Sequence, residues 1–146
     1  MSRSAPGPQV TDREETTMAE NSTPEDFHQR FAEAFNTGAV QPLLEFYEPG
    51  ASLVPQPDQV VSGHAAIAAA LSQYQALGTM TAETRYCIQS ADVALASASW
   101  SIEGTGPDGD PIAVRGTSAD LLRRQGDGRW LLVVDHPFGA VDSGAS

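Results

Sequence analysis

The 146-residue sequence predicts a single α+β domain. Apolar residues recur with helical spacing in the first half of the chain, whereas after Gly78 they alternate with polar residues as in strands. The connections in the second half are short and rich in Gly, Asp and Ser, which is typical of hairpins. Helices followed by an antiparallel meander indicate the α+β class.

The ordered domain is expected over residues 23–139. Residues 1–22 are polar and show no periodicity, so they cannot bury enough apolar surface to offset the entropy of ordering, and we expect a disordered leader. Residues 140–146 are small and polar and are expected to form a flexible tail.

The first helix is predicted to begin at Pro24, which suits the first helical position. Phe27, Phe31 and Phe35 then fall on one face, and the helix is expected to end before Gly38. His28 lies in the polar first turn, and we interpret it as a surface residue.

Three further elements complete the first half of the sequence. A short helix is predicted over residues 40–47, and a brief strand over 51–54 is flanked by prolines, which confine it to a sheet edge or a bend. The alanine-rich segment "SGHAAIAAALSQYQAL" predicts a third helix that ends at Gly78, with His64 exposed near its start.

The second half of the sequence predicts four strands. They cover residues 81–89, 93–103, 111–124 and 129–136, and "SAD", "GTGPDGD" and "QGDG" connect them.

The charge of the chain disfavours polyanionic partners. The 19 acidic and 8 basic residues give a net charge of -11, so we expect neither nucleic acid nor an anionic membrane to be a partner. All the basic residues are arginines, which excludes a lysine Schiff base and a phosphate-loop lysine.

The sequence also predicts no cofactor and no metal. Cys87 is the only cysteine, the three histidines are dispersed, and no nucleotide-binding motif is present. No apolar run is long enough to cross a bilayer and no signal-peptide core is evident, so a cytoplasmic location is expected.

Two carboxylates are candidates for chemistry. Asp120 lies within a predicted strand, in "GTSADLLRR", where a buried carboxyl group can act as a general acid or base. The alternative is a structural carboxylate that a neighbour such as Arg115 satisfies. Asp135 and His136 follow the last strand and, by strict alternation, leave it on opposite faces. Asp135 could instead accept backbone hydrogen bonds and fix the C-terminal strand.

Two long segments resemble the nuclear transport factor 2-like superfamily. "FNTGAVQPLLEFYEPGASLVPQPDQVVSGHAAIAAAL" is similar to its opening motifs, and "LLRRQGDGRWLLVVDHPFG" is similar to the end of its SnoaL-like and SgcJ/EcaC-type branch. The resemblance covers residues 23–139. It implies a cone in which a bent antiparallel sheet wraps over three helices, with an internal pocket and a homodimer.

The ketosteroid isomerases of this superfamily use three catalytic residues, and this sequence retains one of them. The catalytic base position falls on Pro55, which cannot accept a proton, and the tyrosine position falls on Phe31. Only the second aspartic acid is retained, as Asp120, so steroid isomerisation by that mechanism is not expected.

The same pocket pattern places Leu131, Val133 and Asp135 inside the cone, with His136 at its mouth or at the dimer face. We therefore expect Asp120 to transfer protons and Asp135 to orient the substrate or a water molecule. The other predicted pocket residues are aromatic: Phe31, Tyr47, Tyr74 and Trp100, although a core role for Trp100 stays open.

Two functions remain open from the sequence. The first is a cofactor-free enzyme that performs acid–base chemistry on a small hydrophobic molecule, as an isomerase, cyclase, dehydratase or epoxide-opening hydrolase, and SnoaL-like relatives suggest polyketide or other secondary metabolism. The alternative is a non-catalytic protein that binds a hydrophobic ligand in this pocket. Because both faces of residues 130–134 are apolar, we also expect a homodimer that covers the outer face of the sheet.

Overall fold

The computed structural model of the protein describes residues 23–140. The predicted leader lies outside the described residues, as does the predicted tail beyond Ala140.

Three α-helices precede or interrupt the sheet. A single 3₁₀ turn at Pro24–Asp26 leads into α1 (Phe27–Phe35), and α2 (Gln41–Leu44) and α3 (His64–Gln75) follow. The second helix is shorter than predicted because Tyr47 already belongs to the first strand. Within the described residues, no helix is both long and apolar enough to cross a membrane.

Seven strands form one curled, unclosed sheet. They are β1 (Tyr47–Gln56), β2 (Gln59–Ser62), β3 (Thr79–Ser90), β4 (Val93–Thr105), β5 (Pro111–Thr117), β6 (Asp120–Arg124) and β7 (Trp130–Asp135). Their order is β2-β1-β7-β6-β4-β3, and β5 pairs with β4 beside β6. The predicted α+β class and cone-like sheet are confirmed, although the sheet is mixed because β1 runs parallel to β7.

The predicted strand over residues 51–54 is the middle of a longer strand. β1 lies between β2 and β7 and is not an edge, so the alternative of a bend is the one observed. Its pairing with β7 changes register between Tyr47 and Ser52, where Pro49 lies, and its pairing with β2 changes register between Leu53 and Gln56. Pro49 and Pro55 therefore both lie in irregular stretches of β1, which are positions where a sheet tolerates proline.

The predicted strand over residues 111–124 is two strands. The strand is interrupted at Ser118 and Ala119. Here the Ser118 backbone N–H donates to the Ala98 carbonyl at 2.9 Å, and the Ser118 hydroxyl accepts from the Ala98 N–H at 3.0 Å. Because a side chain replaces a ladder partner here, β5 ends and β6 begins at Asp120. The long strand β4 pairs with β5 along one half and with β6 along the other.

The core lies between α1 and the concave face of the sheet. Phe27 and Phe35 are each 1% exposed, as the helical spacing predicts. Opposite them, β4 presents small residues such as Ala94 and Ala96, which leave room above the sheet. The site occupies this space.

Candidate functional site

A cavity opens between α1 and the concave face of the sheet. The space between its walls and at its mouth, open solvent included, is about 590 Å³. Most of its lining is apolar, and four polar residues meet at one end: His28, Ser118, Asp120 and Asp135. The apolar walls come from Phe27, Phe31, Phe35, Leu53, Leu71, Tyr74, Met80, Ala82, Trp100, Ile102, Leu132 and Pro137.

Asp120 reaches the cavity because the strand breaks immediately before it. As the first residue of β6 it pairs with Ala96, whose small side chain leaves space on the inner face. Asp120 is 2% exposed, yet both of its carboxyl oxygens have partners. Oδ2 lies 2.6 Å from Nε2 of His28, and Oδ1 accepts the backbone N–H of His136 at 3.0 Å.

His28 is a polar residue of the cavity that the sequence prediction missed. The surface assignment was wrong, since His28 is 9% exposed, lines the cavity and pairs with Asp120. The partner of Asp120 is thus His28 and not Arg115, the neighbour that the sequence suggested. The spacing did contain the signal, because His28, Phe31 and Phe35 stand at i, i+3 and i+7 and share one helical face.

Asp135 reaches the cavity through a bulge in β7. Leu122 pairs with Leu132, but Leu121 pairs with Val134, so Val133 is an extra residue opposite β6. A β-bulge of this kind breaks the strict alternation of side chains. Leu132 and Asp135 therefore both line the cavity, although strict alternation would place them on opposite faces.

The predicted lining positions at Leu131 and Val133 are consequently corrected. Neither lines the cavity, and Leu132 takes their place. His136 does not line it either, and contributes its backbone N–H to Asp120. Phe31 lines the cavity as predicted.

Tyr47 lies behind Asp135. It is 1% exposed, and its hydroxyl donates to Oδ2 of Asp135 at 2.5 Å. Tyr47 does not line the cavity, so the predicted contact with a ligand is corrected. Its hydroxyl instead contacts Asp135, which does line the cavity.

The electrostatics of this end of the cavity favour a protonated Asp135. Burial, followed by the negative charge of Asp120 and hydrogen bonding with it, raises the pKa of Asp135 well above its ordinary value, while the Tyr47 hydroxyl opposes that rise. Burial and the charge of Asp135 also raise the pKa of Tyr47 well above its ordinary value, so the phenol stays a donor.

The hydrogen-bond donors of Tyr74 and Trp100 are both used within the protein. The indole Nε1 of Trp100 donates to the Pro137 carbonyl at 2.8 Å, and the Tyr74 hydroxyl donates to the Pro55 carbonyl at 2.5 Å. Both rings line the cavity, and they meet edge to face with centroids 6.3 Å apart. Their role is to shape the apolar wall.

The polar end of the cavity can support acid–base chemistry. It combines a carboxyl group that favours its neutral form, a second carboxyl that acts as an acceptor, and an imidazole between α1 and the sheet. Among residues 23–140, no group of three His, Cys, Asp or Glu side chains is placed to hold a metal ion.

The comparisons with known proteins agree with this architecture. The family profile described as the SnoaL-like domain matches residues 28–133, which is well over half of the chain. No curated protein matches the sequence significantly.

Solved structures show the same fold at low sequence identity. A ketosteroid isomerase-like protein from Erwinia carotovora atroseptica is 17% identical, with a TM-score of 0.63 over 88% of this chain and 93% of that one. A dehydratase candidate of the NTF2-like family from Streptomyces avermitilis is 21% identical, with a TM-score of 0.60 over 90% of this chain and 99% of that one.

A third structure is described as a candidate association domain of a calcium/calmodulin-dependent protein kinase II, from Xanthomonas campestris. It is 16% identical, with a TM-score of 0.66 over 80% of this chain and 86% of that one. Together with the family match, these neighbours confirm the predicted resemblance to the NTF2-like superfamily.

Proposed function

Because the chain belongs to the SnoaL-like domain family, whose fold includes isomerases and dehydratases, we propose that it is a cofactor-independent isomerase or dehydratase of a small apolar molecule. The observation that carries this proposal is the pairing of Asp120 and Asp135 at the end of an apolar cavity. A carboxyl group whose pKa is raised can donate a proton in the same reaction in which a neighbouring group accepts one.

The structure supports an exchange of the roles that the sequence suggests for the two carboxyls. Asp135 acts as the acid, because burial and the charge of Asp120 raise its pKa well above its ordinary value, and the Tyr47 hydroxyl donates to its Oδ2. Asp120 and His28 together form the basic side of the site, the part that accepts the substrate proton. Oδ2 of Asp120 pairs with His28, and Oδ1 accepts the backbone N–H of His136.

A β-hydroxy ketone illustrates the proposed step. The basic side removes the hydrogen of the carbon next to the carbonyl, and the electron pair of that C–H bond forms the new C=C bond. The bond to the β-hydroxyl breaks as Asp135 gives that oxygen its proton, so water leaves. In an isomerisation the same hydrogen is returned to another carbon. Neither route needs an oxidant or a bound cofactor.

The cavity limits the substrate to a small molecule with one oxygenated end. The polar residues meet at one end and the remaining walls are apolar, which favours a neutral ring or chain that carries its reacting oxygen near Asp135. Intermediates of polyketide or other secondary metabolism have this character, and so do the substrates of cyclases and epoxide-opening hydrolases.

The proposal can be tested by hydrogen exchange in heavy water. A panel of small ketones and β-hydroxy ketones is incubated with the protein, and deuterium uptake or loss of water is followed by mass spectrometry. We expect Asp135→Asn to lower the rate by about 10²–10⁴-fold, the usual contribution of a general acid. Asp58→Asn, which changes an exposed carboxylate, is the control and should leave the rate unchanged. Wild-type rates in Asp135→Asn contradict the proposal.

One observation favours the alternative of a ligand-binding protein. Both oxygens of Asp120 already have partners within the protein, as expected for a carboxylate that only stabilises the fold. In that case ligand binding persists in Asp120→Asn and Asp135→Asn, and no member of the panel exchanges hydrogen.

We also propose that the protein is a homodimer through the outer face of the sheet. The apolar side chains exposed there lie on β3 and β4, where Ile88 is 59% and Leu95 is 43% exposed, whereas Leu131 is nearly buried within one chain. Ile88, Leu95, Leu121 and Val134 are successive partners across four strands and form one apolar row. A second copy of the same face would cover this row.

The dimer can be tested by sedimentation at micromolar concentrations. We expect the wild-type chain to sediment as a dimer and Leu95→Glu to sediment as a monomer, because a buried charge without a partner opposes association. Val60→Glu is a matched control, since Val60 is 64% exposed on β2, the opposite edge of the sheet. A monomeric wild-type chain contradicts the proposal.

A further inference from the structure

The imidazole of His28 has two ring nitrogens, and the structure gives a partner to only one of them. Nε2 lies 2.6 Å from Oδ2 of Asp120. Nδ1 is buried and has no hydrogen-bond partner among the described residues. His28 itself lines the cavity.

The partners of Asp120 indicate which nitrogen carries the hydrogen. Oδ1 of Asp120 accepts the backbone N–H of His136, so the group acts as an acceptor on that side. At 2.6 Å, a carboxylate oxygen and a ring nitrogen must share a hydrogen, and an ionised carboxylate has none to donate. The hydrogen therefore lies on Nε2, and when the ring is neutral Nδ1 has a free lone pair.

A buried acceptor without a partner is unusual in a folded protein. Leaving such a group unpaired is costly, so most buried polar atoms have a partner. The cost is offset when a ligand supplies the missing donor.

We propose that His28 is the catalytic base of this site, that Nδ1 receives the hydrogen from the substrate, and that Asp120 is a positioning residue that fixes the tautomer. The inference rests on the proposed acid–base function and adds the atom that performs it. For the β-hydroxy ketone, the substrate C–H bond breaks, its electron pair forms the new C=C bond, and the proton becomes the Nδ1–H of an imidazolium that the Asp120 carboxylate stabilises. The C–O bond to the β-hydroxyl breaks in the same step, and that oxygen leaves as water with the proton of Asp135.

Nitrogen NMR of the ¹⁵N-histidine-labelled full chain tests the tautomer without a substrate. We expect, at mildly alkaline pH, hydrogen on Nε2 of His28 and a bare Nδ1. Spectra of His64→Gln and His136→Gln identify the His28 signals by elimination, so the assignment does not require a folded His28 variant. Hydrogen on Nδ1 overturns the proposal.

A model ligand tests whether Nδ1 faces a donor in the cavity. We expect 2-naphthol, which carries one hydroxyl on an apolar double ring, to shift the Nδ1 signal, and naphthalene at the same concentration to shift it far less. An Nδ1 signal that does not respond to 2-naphthol up to its solubility limit overturns the proposal, because Nδ1 then does not accept a hydrogen bond from a ligand in the cavity.

Two substitutions separate the nitrogens by function. His28→Gln keeps a donor that reaches Asp120 and has no atom at the Nδ1 position, so we expect hydrogen exchange to fall by about 10²–10⁴-fold. A folded His28→Gln variant with wild-type exchange overturns the proposal, because contact with Asp120 then suffices. If Asp135→Asn is inactive in that case, the proposed function stands and only the assignment to His28 fails.

Discussion

The start of β6 and the end of β7 each deliver an aspartate to the same cavity, and the two surroundings differ. Asp120 is 2% exposed and accepts from an imidazole and a backbone N–H. Asp135 is partly exposed, accepts a phenol hydroxyl and lies near the charge of Asp120.

This comparison shows that the electrostatic surroundings of two neighbouring carboxyl groups depend on their hydrogen-bond donors and not on burial alone. The more deeply buried Asp120 has a partner on each oxygen. The less buried Asp135 faces the charge of Asp120 with a single donor, so the rise in its pKa follows from desolvation and repulsion together.

The largest expected difference in stability separates Asp120→Asn from Asp135→Asn. Asp120→Asn places an amide against the Nε2–H of His28 and leaves a buried donor unpaired, so we expect a loss of about 1–3 kcal/mol in the free energy of unfolding. Asp135→Asn keeps an acceptor for the Tyr47 hydroxyl and should lose less. Urea unfolding of both variants measures the difference, and equal losses would show that the two surroundings are equivalent.

Removal of the Tyr47 hydroxyl is expected to have an intermediate effect. Tyr47→Phe deletes the donor to Asp135, which should lower the free energy of unfolding by about 0.5–1.5 kcal/mol. Because that hydroxyl lowers the pKa of Asp135, its loss should raise this pKa further. Carboxyl-carbon NMR titration measures the change, and Tyr74→Phe is a control whose hydroxyl contacts the Pro55 carbonyl instead. A downward shift in Tyr47→Phe would contradict the assignment of Tyr47 as donor.

The charge coupling between the carboxyls predicts a shift in the other direction. The negative charge of Asp120 raises the pKa of Asp135, so Asp120→Asn should lower that pKa toward its ordinary value. The same NMR titration, applied to folded Asp120→Asn, measures it. An unchanged Asp135 signal would show that desolvation alone sets its protonation.

The last expected effect is on the pH dependence of stability. The pKa of Asp135 is raised in the folded state, so between its unfolded and folded values the folded protein binds more protons. Its contribution is complete below the unfolded pKa and is lost as pH rises through the folded pKa. Urea unfolding over a pH series should therefore show a downward slope in the wild type that is weaker in Asp135→Asn. Parallel slopes would refute the linkage.

Regular patterns were sufficient to predict the α+β class and the face of α1. The i, i+4 and i+8 phenylalanines and the alternation in the second half depend on local geometry, which a sequence displays directly. The cavity residues Phe31, Tyr74, Trp100, Asp120 and Asp135 could be proposed for the same reason or through the family resemblance.

Irregular features were not predictable from these patterns. The break at Ser118 depends on side-chain hydrogen bonds to Ala98 on another strand, which local sequence does not reveal. The partner of Asp120 is 92 positions away in the chain, at His28. The placement of Leu131 and Val133 failed because alternation assumes a regular strand.

The extra residue at Val133 has a consequence for how relatives should be compared. In a strand without the bulge, the positions in phase with Leu132 would be Val134 and His136, and Asp135 would point away from the cavity. The bulge thus places a carboxyl group where a regular strand with the same number of residues would place an imidazole. A relative with the same residues in a regular strand can have an aspartate aligned with Asp135 and yet have no acid in its cavity. Catalytic equivalence in such proteins should be judged by superposition of side chains rather than by alignment columns.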